Sequence, residues 1–278
     1  MEAIRSVLDA LAWPVFPAQP WPQAAFLSVA VLLVAGLVML AFPATSGRVL
    51  GLSASDTRPG GVGEVRPTGG FLAGLSLATL MFFDQPVLSA AMGIAMAVAA
   101  FARLVSLMSD RSMSLLNLLL FLVQAILAGA LLFYFSDVVT GELTLGMPDE
   151  IMPKLVFLVF AAFAVIGFLV LFAPRIAMTA AGLWVIADKA GGIASIRSTG
   201  GFLLGYGLFG MAIAGYWQSQ FVVLLMLCFG FLVAILLSIV GRILALLLNR
   251  GNLVFNVAAL AAQLAAAAIV MAYIGGAM

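Results

Sequence analysis

The chain has no histidine, a single cysteine and few charges. Without histidine it lacks the usual general base, proton shuttle and haem or zinc ligand. Cys228, alone in an apolar run, can form neither a disulfide framework nor a metal cluster. Charged residues make up 8% of the 278 positions and the net charge is +1, which leaves no basic face for nucleic acid. No cofactor or metal is expected. No carboxylate pair and no nucleophile–base pair stands at a recognisable spacing, so the chain is not expected to be an enzyme.

What fills the space is hydrocarbon. The sequence is 65% hydrophobic with a mean hydropathy of +1.26. A soluble domain has too little polar area to cover that much apolar surface. Apolar runs long enough to cross a bilayer recur along the length. The expectation is an all-α integral membrane protein. Eight spans can be drawn, roughly 24–43, 68–83, 87–108, 115–136, 154–173, 199–215, 219–248 and 253–276. The second and sixth are short for a hydrocarbon core of about 30 Å. They are followed by the polar turns Asp84-Gln85-Pro86 and Tyr216-Trp217-Gln218.

Residues 1–23 read as an N-terminal periplasmic segment rather than a signal peptide, because Glu2, Arg5 and Asp9 interrupt any apolar core. Ile4, Val7, Leu8 and Leu11 recur at helical spacing, and Trp13, Phe16 and Trp21 follow. The pattern predicts a short amphipathic helix at the interface, anchored by aromatics.

The chain also repeats itself. Arg66-Pro67-Thr68-Gly69-Gly70-Phe71-Leu72-Ala73-Gly74 returns as Arg197-Ser198-Thr199-Gly200-Gly201-Phe202-Leu203-Leu204-Gly205. A shift of 131 aligns Gly36 with Gly167, Pro43 with Pro174, Gly51 with Gly182 and Gly60-Gly61 with Gly191-Gly192. A shift of 139 then pairs Arg103 with Arg242, Asn117 with Asn256, Gln124 with Gln263 and Tyr134 with Tyr273. The expected layout is a four-helix repeat over 24–140, a periplasmic linker over 141–153 and a second four-helix repeat over 154–278. Four spans is an even number. The two copies should therefore run parallel, related by a pseudo-two-fold axis along the membrane normal.

Charge orients the bundle. Arg48, Arg58, Arg66, Arg103, Arg111, Arg175, Lys189, Arg197, Arg242 and Arg250 fall on one side, and only Arg5 and Lys154 on the other. By the positive-inside rule the first side is cytoplasmic. The location expected is a bacterial inner membrane, with both termini periplasmic.

The duplicated motif has two readings. Thr68 and Thr199 stand where an N-cap would stand, and Gly69, Gly70, Gly200 and Gly201 would leave first-turn amides uncovered. With Arg66, Arg103, Arg197 and Arg242 nearby, each copy could hold an anion such as a lipid headgroup or a small anionic solute. The stronger reading is packing. Gly70-x-x-x-Gly74 and Gly201-x-x-x-Gly205 let helices approach closely, and arginines at helix ends snorkel. Asn117 and Gln124 share one helix face, as do Asn256 and Gln263. These amides either line a polar path or, as favoured, bind helices together. Glu64 has Ser195 as its counterpart, so any specialised pocket is expected in the first copy. With no acid mid-span, proton coupling is not expected.

The Arg66, Gly69, Gly70, Gly74 and Arg103 pattern, repeated as Arg197, Gly200, Gly201, Gly205 and Arg242, resembles a bacterial family of four-span membrane proteins catalogued as domain of unknown function 4345. That resemblance implies an inner-membrane four-helix module, present twice here, and no reaction. Two functions are carried forward. One is an accessory or scaffold component that binds membrane lipids or another membrane protein complex. The other is a transporter or channel for a small or anionic solute or lipid, using the interface between repeats.

Overall fold

The computed structural model describes residues 16–54, 61–110, 112–136, 146–186, 191–215, 221–249 and 253–277. The expected interfacial helix before residue 16, the Tyr216-Trp217-Gln218 turn, and Arg5, Arg58, Arg111, Lys189 and Arg250 lie outside them.

Ten α-helices are present among the described residues. They are α1 (Pro20–Ala41), α2 (Pro43–Val49), α3 (Val65–Met81), α4 (Pro86–Ser109), α5 (Leu115–Ser136), α6 (Ile151–Phe172), α7 (Pro174–Ala181), α8 (Gly191–Gly215), α9 (Phe221–Asn249) and α10 (Leu253–Ala277). Proline opens α1, α2, α4 and α7, where its fixed φ suits a helix start and its missing N–H costs nothing. Seven helices are long and apolar enough to cross a membrane: α1, α4, α5, α6, α8, α9 and α10. The chain is a multi-pass membrane protein. The eighth expected span, α3, has 17 residues, about 25 Å at 1.5 Å per residue. A 3₁₀ turn at Gly61–Glu64 runs directly into it.

Two short strands join the segments that follow α2 and α7. β1 (Leu52–Ala54) and β2 (Leu183–Val185) pair antiparallel in the register Leu52 with Val185, Ser53 with Trp184 and Ala54 with Leu183. Gly51 and Gly182 precede them at φ 79° and 73°, a left-handed turn that favours glycine. Leu52, Met178 and Leu183 form a small core beneath this ribbon.

The main core is built around α3 and α8, each packed between an earlier or neighbouring helix and one from the other half of the chain. α3 lies against α1 of its own copy and along α9 of the other; α8 lies against α6 and along α4. By contrast α3 barely meets α4, and α8 barely meets α9. Glycines on two faces of α3 and α8 make this possible. A Cβ on Gly69 would stand 2.6 Å from Leu40 N, and on Gly200 2.4 Å from Leu171 N, so these glycines seat the helix on its own copy. A Cβ on Gly70 would stand 2.2 Å from Leu237 O, and on Gly201 2.6 Å from Val98 O, so the adjacent glycines seat it on the other copy. Aromatic rings close the centre. Phe71 meets Phe202 with centroids 6.5 Å apart, and Phe163, Tyr206 and Phe231 pack around Phe71. The outermost helices, α5 and α10, leave most of their surface exposed, as lipid-facing helices do.

Candidate functional site

The threonines of the motif do not cap helices. Thr68 is the fourth residue of α3, and its Oγ1 donates to the carbonyl of Glu64 at 3.3 Å. Thr199 is deep inside α8, and its Oγ1 donates to Ser195 O at 3.0 Å. Both bond back by one turn, as threonine does within a helix. Gly69, Gly70, Gly200 and Gly201 lie beyond the first four residues of their helices, where each N–H has an intrahelical acceptor. Their free faces are occupied by neighbouring backbone, so the expected cradle of uncovered amides is absent there.

The arginines are organised differently from the sequence expectation. Arg66 and Arg197 reach from α3 and α8 towards the last turn of the preceding long helix. Arg66 Nη1 donates to Leu40 O, and Arg197 Nη1 to Leu171 O. Each Nε then crosses to the other copy. Arg66 donates to Asn249 Oδ1 at 2.9 Å at the end of α9, and Arg197 to Asp110 Oδ2 at 2.7 Å just after α4. Those carbonyls belong to helix C-termini that lack intrahelical donors, and a cation there also suits the helix dipole.

Arg103 and Arg242 are deeper, roughly two turns from the ends of α4 and α9. They are only 3% and 8% exposed. Each is clamped by the next helix. Arg103 Nε donates to Gln124 Oε1 and its Nη1 to Asn117 Oδ1, both at 3.0 Å. Arg242 Nε donates to Gln263 Oε1 and its Nη1 to Asn256 Oδ1, again both at 3.0 Å. The four amides singled out in the sequence and the two deep arginines are therefore one feature, a guanidinium bridge closing each of the hairpins α4–α5 and α9–α10. Gln124 passes the network to Ser198 on α8, and Gln263 to Ser238 on α9, each at 2.8 Å.

Two carboxylates enter this region, at unlike positions. Glu64, closing the 3₁₀ turn before α3, accepts from Arg242 Nη1 at 3.0 Å. Burial pushes its carboxyl up, against the opposing pull of Arg242 and Asn256, and leaves it above the ordinary value of 4.5. Asp110 accepts hydrogen bonds from both Nε and Nη2 of Arg197 and from the Ser106 hydroxyl at 2.6 Å. Burial acts to raise it as well, but the bonds from Arg197 and Ser106 outweigh burial and hold it below 3.8. Sequence reasoning missed Asp110, Asn249, Ser198 and Ser238. Asp110 and Asn249 are aligned by the shift of 139, but their different chemistry hid them.

No group of three His, Cys, Asp or Glu side chains converges to hold a metal among the described residues. No protein-family model, curated protein or solved structure matches the chain.

Proposed function

We propose that this protein is an accessory or scaffold component of a bacterial inner membrane, embedded through two four-helix units and in contact with lipids and another membrane protein complex. One observation carries the reading. The arginines and amides that the two halves of the sequence share are engaged in clamps between the bundle's own helices. A path for a solute needs such groups facing an opening, whereas here a cluster of rings fills the centre between the copies.

The units run parallel about a pseudo-two-fold axis along the membrane normal. The ribbon register supports this, since Ser53 pairs with its own counterpart Trp184. Contacts of Gly70 with Leu237 and Gly201 with Val98, equivalent under the two shifts, support it too. In this arrangement α3 is the eighth crossing, the arginine-rich ends are cytoplasmic and both termini are periplasmic. Each unit corresponds to the four-span module that the motif resembles. The short helix α7 carries exposed Arg175 and Ile176 beside an open groove, a suitable arrangement for lipid headgroups at the cytoplasmic surface.

Reconstitution separates this from the transporter reading. Proteoliposomes should pass chloride, phosphate and fluorescent anionic lipid no faster than empty vesicles. Flux that exceeds the control and falls in Arg103→Gln or Arg242→Gln would replace the scaffold reading with transport.

A further inference from the structure

Glu64 is held in a way that a structural ion pair does not require. Its side chain is 8% exposed, with Oε2 on Arg242. Oε1 is buried with no hydrogen-bond partner among the described residues. Asp110 differs in having both oxygens engaged. A buried carboxylate oxygen without a donor keeps its desolvation cost, and that cost falls when the group takes up a proton.

The duplication supplies the control. At the position equivalent to Glu64 the second copy has Ser195, whose hydroxyl donates to Leu50 O at 3.2 Å and Gly191 O at 3.1 Å. Arg103 there is clamped by the same two amides at the same distances as Arg242. The guanidinium clamp thus closes with a hydroxyl residue at this position, so holding the arginine does not account for Glu64.

The groups around Glu64 come from every element packed on its turn. α9 brings Arg242 and Asn249, and α3 brings Arg66, whose guanidinium is turned to Asn249 and Leu40 O. α2 brings exposed Arg48, and β1 brings no charge. Asn256 of α10 lies alongside, its Oδ1 accepting from the same Arg242 Nη1 that donates to Glu64. Gly63, next to Glu64, leaves so little room that a Cβ would stand 2.9 Å from Asn249 Cβ, which seals the turn against α9.

We infer that Glu64 is a proton-binding site at the cytoplasmic end of the first unit. A solvated proton from the bulk adds to Oε1 and leaves its water behind, the carboxylate becomes a neutral acid, and the charge pair with Arg242 ends. Arg242 retains Asn256 and Gln263, as Arg103 retains Asn117 and Gln124. No other bond changes, and the charge buried in the first unit rises by one. The cytoplasmic side rests on the orientation proposed above; the protonation does not. The protein thereby has two charge states that a scaffold or its partner can read.

The test is pH-difference infrared spectroscopy on the full chain in lipid nanodiscs. A protonated carboxyl band should appear at a pH above the ordinary glutamate range. It should vanish in Glu64→Gln and Glu64→Ser and persist in Asp110→Asn. A band unmoved by both Glu64 variants, or its absence, overturns the inference. Glu64→Ser copies the second unit and is expected to fold; if it does not, the carboxylate is structural and the inference fails. The readout needs neither partner nor flux, so its failure is distinct from that of the scaffold reading.

Discussion

The two arginine clusters solve one electrostatic problem in two ways. Each must place a pair of arginines at the rim of a hydrocarbon phase, where an isolated cation is costly. In the cluster between α3 and α9, the carboxylate goes to the deep arginine, Glu64 to Arg242, and shallow Arg66 takes the neutral amide Asn249. In the cluster between α8 and α4, the carboxylate goes to the shallow arginine, Asp110 to Arg197, and deep Arg103 is held by amides. Either arrangement sets one carboxylate against two guanidiniums. What both share is the amide clamp and the carbonyl at the end of the preceding helix. The difference teaches that the invariant requirement is hydrogen-bond acceptors in fixed places, while the compensating negative charge can move.

The largest effect should come from removing the deep arginines. Arg242→Met leaves Glu64 buried without its cation and should destabilise by about 3–5 kcal/mol. Arg103→Met strands only neutral amides and should cost about 1–3 kcal/mol. Adding Glu64→Ser to Arg242→Met should restore much of the difference. Thermal unfolding in matched detergent would measure all three. Equal losses for the two arginines would show that Glu64 is not an energetic partner of Arg242.

The glycine contacts come next. Gly70→Ala and Gly201→Ala each press a methyl group on the other copy's backbone and should cost about 1–3 kcal/mol as overpacking. Gly70 has the closer approach, 2.2 Å against 2.6 Å, so its substitution should be the worse. Tolerance of alanine at both would mean that α3 and α8 sit less tightly on α9 and α4.

The smallest effect is the pH response, and here the two clusters should differ in sign. Asp110 has a lowered folded value, so its stabilisation is present above 3.8 and is lost as pH falls through the folded value. Glu64 has a raised value, so its contribution is complete below 4.5 and is lost as pH rises through the folded value. Asp110→Asn should therefore weaken the acid-side loss of stability, and Glu64→Gln should remove an acid-side gain. Melting temperatures across acid pH would show it. Matching pH slopes in the two variants would contradict the assignment of unlike roles.

Much of the fold was legible in the residues. Most helices fall close to the expected spans, although α8 begins at Gly191 and its 25 residues are not the short sixth span expected at 199–215, and the prolines mark four helix starts. Arg66 and Arg197, Arg103 and Arg242, and the four amides all stood out because polar residues are rare in hydrocarbon and these recur. Their connection was not legible. Arg103 and Asn117 are 14 residues apart with a turn between them, and only the closed hairpin sets them at 3.0 Å. Thr68 looked like a cap because a polar residue precedes an apolar run. Helical backbone begins earlier, at Val65, and in the second copy at Gly191. A threonine that can bond its own preceding turn is compatible with either position.

By itself the sequence determined membrane residence, the run of long apolar helices and the repetition of the polar motif. These follow from local hydrophobicity and from residue identity, which need no partner to be read. Tertiary structure alone decided that α3 packs on α9 and α8 on α4, and that Glu64 meets Arg242 while Asp110 meets Arg197. Helix packing and ion pairing depend on surfaces far apart in the chain. The glycines permit a close approach, but only the assembled bundle selects which backbone fills the space.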